Sequence, residues 1–482
     1  MYTDLQNFID RLEKAGEIKR ISATVNPELE IAEIASRVMY KGGPALLFEN
    51  VKGSAYPLLI NAFGSEKRMA LALGAESLDA KAVEIENLLG WLWTTARNFS
   101  LLKAIPEAVP KLPLALSLIP KKVNRPLCQE VIDDEAGFDS LPILKCWPQD
   151  GGRFLTLPLV CAEDGEGLRN MGMYRMQVYD NRAAGMHWHI NKDSAHFFQK
   201  YREKGKWMPI AVALGGDPAV TYSATAPLPE GLWEMVLAGF LRGKPAEVCK
   251  ATLSDLLVPA DAEFVLEGYI DPAETREEGP FGDHTGFYSL KDIYPVFHLQ
   301  RITRRKAPIY PATVVGRPPK EDCWMAKATE RLFLPLIKQL CPEIVDMNMP
   351  LEGVFHNCVI VSIKKRFAGQ ARKVMNFLWG MGQMMSAKLI VVVDAEVNVQ
   401  DLSEVAWRAL NNIDARHDLV LNDGVLDALD HSSPLPRYGT RLGVDATRKG
   451  ADEGRLREWA PPIESDPQTA ATVDKRWAEY GL

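Results

Sequence analysis

Several features that define other protein classes are absent or sparse in this sequence. The seven cysteines are an odd number, stand far apart and form no CxxC pair. This spacing argues against a disulfide framework or a cysteine zinc site and favours a reducing compartment. Apolar runs are interrupted by Pro or Lys before the roughly 18 residues of a membrane span, and the N-terminal residues lack a signal peptide's apolar stretch. We therefore expect a soluble, cytoplasmic protein without a transmembrane segment.

Positive charge is also sparse, because 56 Lys and Arg stand against 63 Asp and Glu, for a net charge of −7. This balance argues against nucleic acid and anionic membranes as partners. A compact anionic substrate is still compatible, since it needs only local positive charge. The sequence also contains no Walker loop and no GxGxxG, GxSxG or HExxH motif. Their absence removes the commonest nucleotide-binding, serine-hydrolase and zincin interpretations.

The composition that is present is typical of a large globular protein. The 482 residues are 47% hydrophobic and 25% charged, which is enough for a large core, and the length predicts about three domains. Leu5, Phe8, Ile9 and Leu12 recur at helical spacing behind polar residues 3–4, so the sequence predicts an N-terminal amphipathic helix.

The pattern of predicted helices and strands changes twice along the chain, which predicts three domains. Repeated prolines between 106 and 126 interrupt helix formation, so we place the end of an N-terminal α/β domain near residue 115. Short β-rich runs over 116–310 predict a barrel or sandwich. Over 325–482, helices alternate with continuous apolar strands, which predicts a C-terminal α/β domain with a mostly parallel sheet. We expect its polar tail to pack on the body or on a second subunit.

The segment EEGPFGDHTG (277–286) is the first candidate for chemistry. Glu278 and Asp283 flank a Gly-Pro-Phe-Gly turn, which can bring both carboxylates to one site. Neighbouring carboxylates push their pKa values apart, so one can be a protonated acid while the other stays charged. The alternative is a surface turn with solvated acids, which on this segment alone is the commoner case.

The segment RNMGMYRMQVYD (169–180) places an arginine among apolar residues. We interpret Arg175 as lying mid-strand, with Met173 and Gln177 on the same face. An inward guanidinium binds carboxylates bidentately, which suits an acidic substrate or a catalytic carboxylate. The alternative is an arginine on the solvent face.

Two further segments contain possible metal ligands. In GMHWHINKDSAH (185–196), His187 and His189 would share one face of a strand, and with His196 could hold a metal. The alternative is a polar strand. In PLPEGLWE (227–234), Glu234 lies at a helix start, where the helix dipole alone would favour an acid.

Read together, these segments resemble the UbiD family of decarboxylases, which use prenylated FMN. The resemblance covers nearly the whole chain and implies a central split β-barrel that binds the flavin. It is most specific in NMGMYR (170–175), PLPEGLWE with AGFLRG (227–243), VPADAEFVLEGYI (258–270), EGPFGDHTGFY (278–288), CPEIVDMNMPLEG with IKKRFAG (341–369) and SPLPRYGTRLGVDATRK (433–449).

The resemblance implies a binding role for residues of these segments. Asn170 and Glu234 match the family's ligands for a divalent ion, Mn²⁺ or Mg²⁺, and the third ligand is left open among His189, Asp193 and His196. Residues 224–226 lie where backbone carbonyls hold a monovalent ion such as K⁺. The implied cofactor-binding residues are Met173, Tyr174, Arg175, His187, Trp188, Lys192, Ala224, Thr225 and Ala226.

The resemblance also implies a reaction, the reversible, non-oxidative decarboxylation of an aromatic, heteroaromatic or conjugated acid. Arg175 would orient the substrate carboxylate, protonated Asp283 would donate the proton, and Glu278 would stay ionised against Arg175. His284 would have a supporting role. We expect CO₂ as the second product, a flavin prenyltransferase as cofactor supplier, and a homodimer or homohexamer.

Three other functions are compatible with the same residues. The main alternative is a flavin-binding oxidoreductase, because a split barrel can hold ordinary FMN. A second is a metal-dependent hydrolase built on Asp283, His284 and the histidine segment. A third is a non-catalytic subunit of a carboxylase, against which the intact Arg175, Glu278 and Asp283 argue. The substrate stays open among polyprenyl-hydroxybenzoates, simple benzoates, furoates, pyrrole carboxylates and cinnamate-like acids.

Overall fold

Helices and strands alternate through residues 4–98, 112–188 and 193–481, the parts of the chain that this computed structural model describes. Lys192 and His189 lie outside these ranges. The α-helices are α1 (Leu5–Lys14), α2 (Glu30–Tyr40), α3 (Glu66–Ala72), α4 (Leu78–Asn98), α5 (Leu112–Ser117), α6 (Asp193–Glu203), α7 (Pro218–Ser223), α8 (Glu234–Arg242), α9 (Glu321–Leu340), α10 (Gln370–Trp379), α11 (Leu402–Asn412), α12 (Ala415–Asp418) and α13 (Pro467–Arg476).

The strands form four sheets, three of which correspond to successive parts of the chain. The strands are β1 (Ile18–Val25), β2 (Ala45–Val51), β3 (Leu58–Ile60), β4 (Lys121–Lys122), β5 (Val131–Asp133), β6 (Phe154–Leu155), β7 (Leu159–Glu163), β8 (Arg169–Met173), β9 (Met176–Val178), β10 (Ala183–Met186), β11 (Met208–Leu214), β12 (Glu247–Lys250), β13 (Leu257–Pro259), β14 (Phe264–Glu278), β15 (Asp292–Arg304), β16 (Tyr310–Pro311), β17 (Ile344–Asn348), β18 (Cys358–Ile363), β19 (Leu389–Asp394), β20 (Leu419–Val425) and β21 (Tyr438–Asp445).

The N-terminal part pairs a four-stranded sheet, in the order β1-β2-β3-β16, with helices α1 to α4. Helix α1 begins after Asp4, whose side chain accepts a hydrogen bond from the backbone N–H of Asn7 at 2.8 Å. This is an N-cap, and it satisfies one of the helix's unpaired N–H groups. The predicted helix is confirmed, and its four apolar residues are all buried: Leu5, Phe8, Ile9 and Leu12.

The central part is a large antiparallel sheet in the order β6-β9-β10-β15-β14-β11-β7-β8, with β5 paired to β15. Its longest pairing joins β14 and β15, and the loop 279–291 connects them. Strand β11 and the first residues of β14 are buried almost throughout, so the core of this part lies along their pairing. The sheet is curled into a half-barrel, so the predicted split-barrel fold is confirmed.

The curl of this sheet follows from how β8 and β9 are connected. The two strands lie near opposite ends of the sheet order, yet only Tyr174 and Arg175 separate them along the chain. The three Cα–Cα steps from Met173 to Met176 span at most about 11 Å, so the sheet must bend until its ends are close together. We call Tyr174 and Arg175 the seam. The seam residues therefore lie where the two ends of the sheet come close together.

The C-terminal part is a five-stranded sheet in the order β17-β18-β19-β21-β20. Strands β18, β19 and β21 are parallel, and the edge strands β17 and β20 are antiparallel to their neighbours. The prediction of a mostly parallel sheet therefore applies to its centre. The predicted domain limits, and a subunit contact for the exposed helix α13, stay predictions.

Helix α9 ties the N-terminal and central parts to the C-terminal part. Glu321 in its first turn is buried, and its carboxylate accepts hydrogen bonds from the Phe63 backbone N–H at 2.9 Å and the Thr313 hydroxyl at 2.6 Å. The start of the helix is thereby fixed to two other segments. Among the described residues, no helix combines the length and apolar character that crossing a membrane requires.

Candidate active site

Arg175 at the seam binds two carboxylates that come from one end of the β14–β15 hairpin. Its Nε lies 2.9 Å from Glu278 Oε1 and its Nη2 lies 3.2 Å from Glu278 Oε2, which is a bidentate pair. Its Nη1 donates to Asp283, and Nη2 also donates to the Ser289 hydroxyl at 3.2 Å. We call Arg175, Glu278 and Asp283 the arginine network. All three side chains are nearly inaccessible to solvent.

Backbone contacts hold the loop that presents Asp283. The N–H of Gly279 donates to the Gln177 side chain at 2.7 Å, and the N–H of Gly282 donates to Asp150 at 2.8 Å. A Cβ on Gly282 would lie 2.1 Å from the Trp147 ring, so only glycine allows this approach. The Gly-Pro-Phe-Gly turn therefore brings both carboxylates to one site, as the sequence predicts.

The charges of the network shift its pKa values strongly. Burial alone would raise the pKa of Glu278, but hydrogen bonds from His187 and Arg175 outweigh it and lower the pKa to about 2. Burial likewise opposes ionisation of Asp283, yet the hydrogen bond from His284 and the charge of Arg175 hold its pKa far below the usual range. Both carboxylates are therefore ionised while they share Arg175.

Two histidines contact the network, each at a different carboxylate. His187 Nδ1 lies 3.1 Å from Glu278 Oε2, and its ring contacts the Tyr294 ring at 4.4 Å between centroids. Burial lowers the pKa of His187, although the Glu278 hydrogen bond opposes this shift. His284 Nδ1 lies 2.9 Å from Asp283 Oδ1. Burial would lower the pKa of His284, but the bond to Asp283 raises it.

Asn170 and Glu234, the predicted metal ligands, are in direct contact. Asn170 Nδ2 lies 2.8 Å from Glu234 Oε1, and Glu234 Oε2 accepts the Met171 backbone N–H at 2.7 Å. The Ser194 hydroxyl donates to Asn170 Oδ1 at 2.6 Å. The asparagine lies on strand β8, and the glutamate is the first residue of helix α8. This buried set of oxygen donors fits a hard divalent cation such as Mn²⁺ or Mg²⁺.

Two of the predicted flavin-contacting residues, Tyr174 of the seam and Trp188, lie against each other. Tyr174 lies against Gly172, where a Cβ would approach the ring to 2.3 Å, and its ring meets that of Trp188 edge-on at 6.5 Å. Within the described ranges, Trp188 Nε1 is buried without a hydrogen-bond partner. A buried donor of this kind beside aromatic rings fits a planar, polar ligand such as a flavin.

The carbonyl segment 224–226 follows helix α7 and lies beside strand β8. The Ala224 carbonyl accepts the Met173 backbone N–H at 3.1 Å, and the Ala226 carbonyl accepts the Leu228 N–H at 2.9 Å. The carbonyls at a helix C-terminus bear partial negative charge, which favours a cation. The segment is therefore compatible with the predicted monovalent ion, which stays a prediction.

Two local predictions are wrong. Arg175 does not lie mid-strand, because the chain leaves β8 at Met173 and enters β9 at the other end of the sheet. His187 does not lie on a strand, because β10 ends at Met186. The register of β10 with β15 brings Pro295 opposite Met186, and a proline has no N–H with which to continue the ladder.

The third metal ligand is not decided. His196 is 52% exposed and faces Glu230 at 3.7 Å, whereas Asp193 begins helix α6. His189 and Lys192, one of the predicted cofactor-binding residues, lie outside the described residues.

Several neighbours of the site were missed by sequence reasoning. Ser289 contacts Arg175 and Tyr294 contacts His187, and in the sequence they are an ordinary loop serine and strand tyrosine. His356 and Asp427, from the C-terminal part, lie beside His284. No local pattern joins these residues, since only the tertiary fold brings them together.

Comparison with known proteins identifies the family. Three family models match successive parts of the chain, described as the N-terminal, Rift-related and C-terminal domains of 3-octaprenyl-4-hydroxybenzoate carboxy-lyase, UbiD, over residues 9–84, 121–318 and 323–446. The chain belongs to the UbiD family. A relative that matches over nearly its whole length, an uncharacterised protein of Archaeoglobus fulgidus, is 49% identical over 481 residues, covering 99% of this chain and 98% of that protein.

Solved UbiD-class structures agree with this assignment. Vanillic acid decarboxylase of Sedimentibacter hydroxybenzoicus in its closed form matches with a TM-score of 0.86 and 28% identity, covering 99% of each chain. An evolved dimeric form of the UbiD-class enzyme HmfF of Pelotomaculum thermopropionicum in complex with prFMN matches with a TM-score of 0.81 and 25% identity, covering 99% of this chain and 100% of that chain. The resemblance, fold class and carboxy-lyase activity predicted from the sequence are confirmed.

Proposed function

We propose that this UbiD-family enzyme catalyses the reversible, non-oxidative decarboxylation of an aromatic, heteroaromatic or conjugated carboxylic acid with prenylated FMN and a divalent metal. The observation that supports it most is the arginine network, in which one buried guanidinium binds two carboxylates just after strand β8. The aromatic acid named for the vanillic acid decarboxylase and the prFMN bound to HmfF support the substrate class and the cofactor.

Substrate binding would begin by an exchange of partners at Arg175. The guanidinium binds Glu278 through two nitrogens but Asp283 through Nη1 alone. A substrate carboxylate would therefore replace Asp283 more easily than Glu278, since fewer hydrogen bonds are lost. Glu278 would stay ionised and hold the arginine in place.

Displacement from Arg175 would prepare Asp283 for proton transfer. Without the neighbouring cation its pKa rises, because burial then opposes the charged form with less compensation. Asp283 would then take up a proton from solvent and deliver it to the carbon that loses CO₂, and the released CO₂ balances the reaction. The protonated Asp283 predicted from the sequence thus becomes a state that requires substrate.

The cofactor and metal would bind beside this network. Prenylated FMN supplies the electron sink that decarboxylation at an sp² carbon needs. Tyr174 and Trp188 would contact it, and Asn170 with Glu234 would hold the metal against its phosphate. Met173 would lie along the same strand, and K⁺ would bind the carbonyls of 224–226. The oligomer is proposed as a homodimer or homohexamer.

The proposal is tested with protein co-expressed with a flavin prenyltransferase. The purified enzyme is incubated with a panel of benzoates, furoates, pyrrole carboxylates and cinnamate-like acids. We expect CO₂ release and H/D exchange at the position of the lost carboxylate, without NAD(P)H. A flavin oxidoreductase would instead oxidise NAD(P)H and release no CO₂, and this result would contradict the proposal.

The matched variant is Asp283→Asn, which keeps the size of the side chain but cannot donate an acidic proton. Loss of a general acid typically costs roughly 10²- to 10⁴-fold in rate. We expect turnover to fall by this amount while the flavin spectrum of the purified protein stays unchanged. Full turnover in the variant would exclude Asp283 as the proton donor.

A further inference from the structure

Two imidazoles and a carboxylate meet where the central part contacts the C-terminal part. His284 follows Asp283 in the active-site loop, His356 precedes strand β18, and Asp427 follows strand β20. One potential ligand atom from each lies within 4.8 Å of those from the other two. In the described portion of the sequence this is the single group of three or more His, Cys, Asp or Glu residues with such spacing. We call these three residues the histidine junction.

Both imidazoles of the junction have an Nε2 atom with nothing bound to it. Each Nε2 is buried and lacks a hydrogen-bond partner in the described structure. His356 Nε2 lies 3.5 Å from Asp427 Oδ2, but without hydrogen-bond geometry. Buried polar atoms normally have partners, because an unpaired one costs about 1–3 kcal/mol. Two such atoms, on rings that adjoin one carboxylate, indicate a place for a ligand.

The opposite ring nitrogens are both occupied. His284 Nδ1 lies 2.9 Å from Asp283 Oδ1, and His356 Nδ1 lies 2.7 Å from the Val354 carbonyl. A carbonyl acceptor requires the proton on Nδ1, which leaves the lone pair on Nε2. Metal-binding histidines almost always show this pattern, in which the other N–H donates to a carboxylate or carbonyl.

The backbone before His356 is strained in a way that positions this ring. Val354 and Phe355 adopt positive φ angles of 43° and 54°. For a β-branched residue this conformation is a true outlier, and such outliers cluster at ligand sites. The Phe355 ring lies 4.9 Å from the His284 ring and covers one side of the junction.

We propose that the histidine junction binds a divalent transition-metal ion of the zinc class. Two imidazoles with one carboxylate suit Zn²⁺ or Co²⁺, whereas Mg²⁺ and Ca²⁺ prefer oxygen ligands alone. The ion would join the active-site loop to the C-terminal part and hold His284 in the tautomer that donates to Asp283. His284 is thus a positioning residue. This site is separate from Asn170 and Glu234, and it goes beyond the proposed function.

The test measures zinc uptake by the full chain after chelator treatment. Equilibrium dialysis with Zn²⁺ is followed by metal analysis, and thermal unfolding is recorded with and without the ion. We expect wild type to bind zinc at this site and to melt at a higher temperature with it. His356→Gln and Asp427→Asn should each weaken zinc binding by at least roughly tenfold and abolish the thermal shift.

Two controls separate this site from others. His417→Gln removes a surface histidine that is 73% exposed and pairs with Asp414 at 3.4 Å, and it should leave zinc binding unchanged. Glu234→Gln alters the other metal pair and should also retain this zinc. Co²⁺ should give visible absorption in wild type that His356→Gln loses.

The proposal is overturned if wild type binds zinc no more tightly than His356→Gln and Asp427→Asn. It is also overturned if only Glu234→Gln loses the ion. If His356→Gln does not fold, Asp427→Asn decides by the same criteria. Because every measurement reads metal binding or melting rather than turnover, this failure is distinct from failure of the decarboxylase assignment.

Discussion

The arginine network and the histidine junction adjoin through the Asp283–His284 contact but differ in hydrogen bonding. In the network every guanidinium nitrogen and every carboxylate oxygen has a partner. In the junction both Nε2 atoms have none within the described ranges. A saturated buried site must exchange partners when substrate arrives, whereas an unsaturated one gains partners. The first therefore suits turnover, and the second suits a resident ligand.

The largest effect should come from removing the cation of the network. Arg175→Met leaves Glu278 and Asp283 buried without their counter-ion, which typically costs 3–5 kcal/mol, so we expect a loss of unfolding free energy of about that size together with loss of turnover. Chemical denaturation measures the first. Arg276→Met is the matched control, since this arginine is 41% exposed and pairs with Glu274 at 2.9 Å. It should cost under about 1 kcal/mol. Equal losses in the two variants would mean that burying Glu278 and Asp283 without their counter-ion carries no extra cost.

A second effect is the acid sensitivity of Glu278. Its folded pKa of about 2 lies below the ordinary value of 4.5, so its ionised form stabilises the protein above pH 4.5. That contribution, on the order of 3 kcal/mol, is lost as pH falls from about 4.5 toward 2. We expect the stability gap between wild type and Glu278→Gln to narrow over that range in urea titrations. A gap independent of pH would contradict the ionised pairing.

A third effect is steric and tests how rigidly the loop holds Asp283. Gly282→Ala places a Cβ 2.1 Å from the Trp147 ring, so we expect a cost of about 1–3 kcal/mol and reduced turnover. Gly90→Ala is the control, because helix α4 leaves open space around that residue. It should stabilise the protein by about 0.5–1 kcal/mol. Thermal unfolding of both variants checks the prediction, and an unaffected Gly282→Ala would mean that the loop yields easily.

The smallest effect concerns Trp188 Nε1, a buried donor without a hydrogen-bond partner among the described residues. Trp188→Phe should barely change the stability of the cofactor-free protein but weaken flavin binding by about 1 kcal/mol, roughly fivefold. Trp379→Phe is the converse control, because Trp379 Nε1 donates to the Ala387 carbonyl at 2.9 Å. That variant should lose stability and keep its flavin affinity. Fluorescence titration with FMN distinguishes the two, and unchanged affinity in Trp188→Phe would separate this donor from the cofactor.

Much of the fold was predictable because periodicity records local burial. The apolar spacing behind Asp4 predicted helix α1, and continuous apolar runs predicted strands β18 and β19. The carboxylates of the 278–283 turn were also predictable, since a short glycine turn keeps its two ends together. Their pairing with Arg175 came from family resemblance, because period-2 alternation on its own placed that arginine on a continuous strand.

The remaining features depend on topology, which a single sequence does not reveal. The seam exists because β8 and β9 pair at different ends of the sheet, and nothing local in MYRM records that change. Likewise, His284 follows a strand of the central sheet, whereas His356 and Asp427 adjoin strands of the C-terminal sheet, and the three are far apart along the chain. Their proximity depends on how helix α9 fixes the C-terminal part.

Because of the seam, activity should depend directly on how well the two ends of the central sheet stay together. Arg175 sits on the two-residue link between the ends of the half-barrel, so fraying of β8 or β9 displaces its guanidinium directly. Strands this short open at lower free energy than a long hairpin such as β14–β15. Mild heat or denaturant should therefore inactivate the enzyme before its helices melt. Activity should then return on cooling or on removal of the denaturant, because the rest of the fold stays intact and the two-residue link can re-form against it.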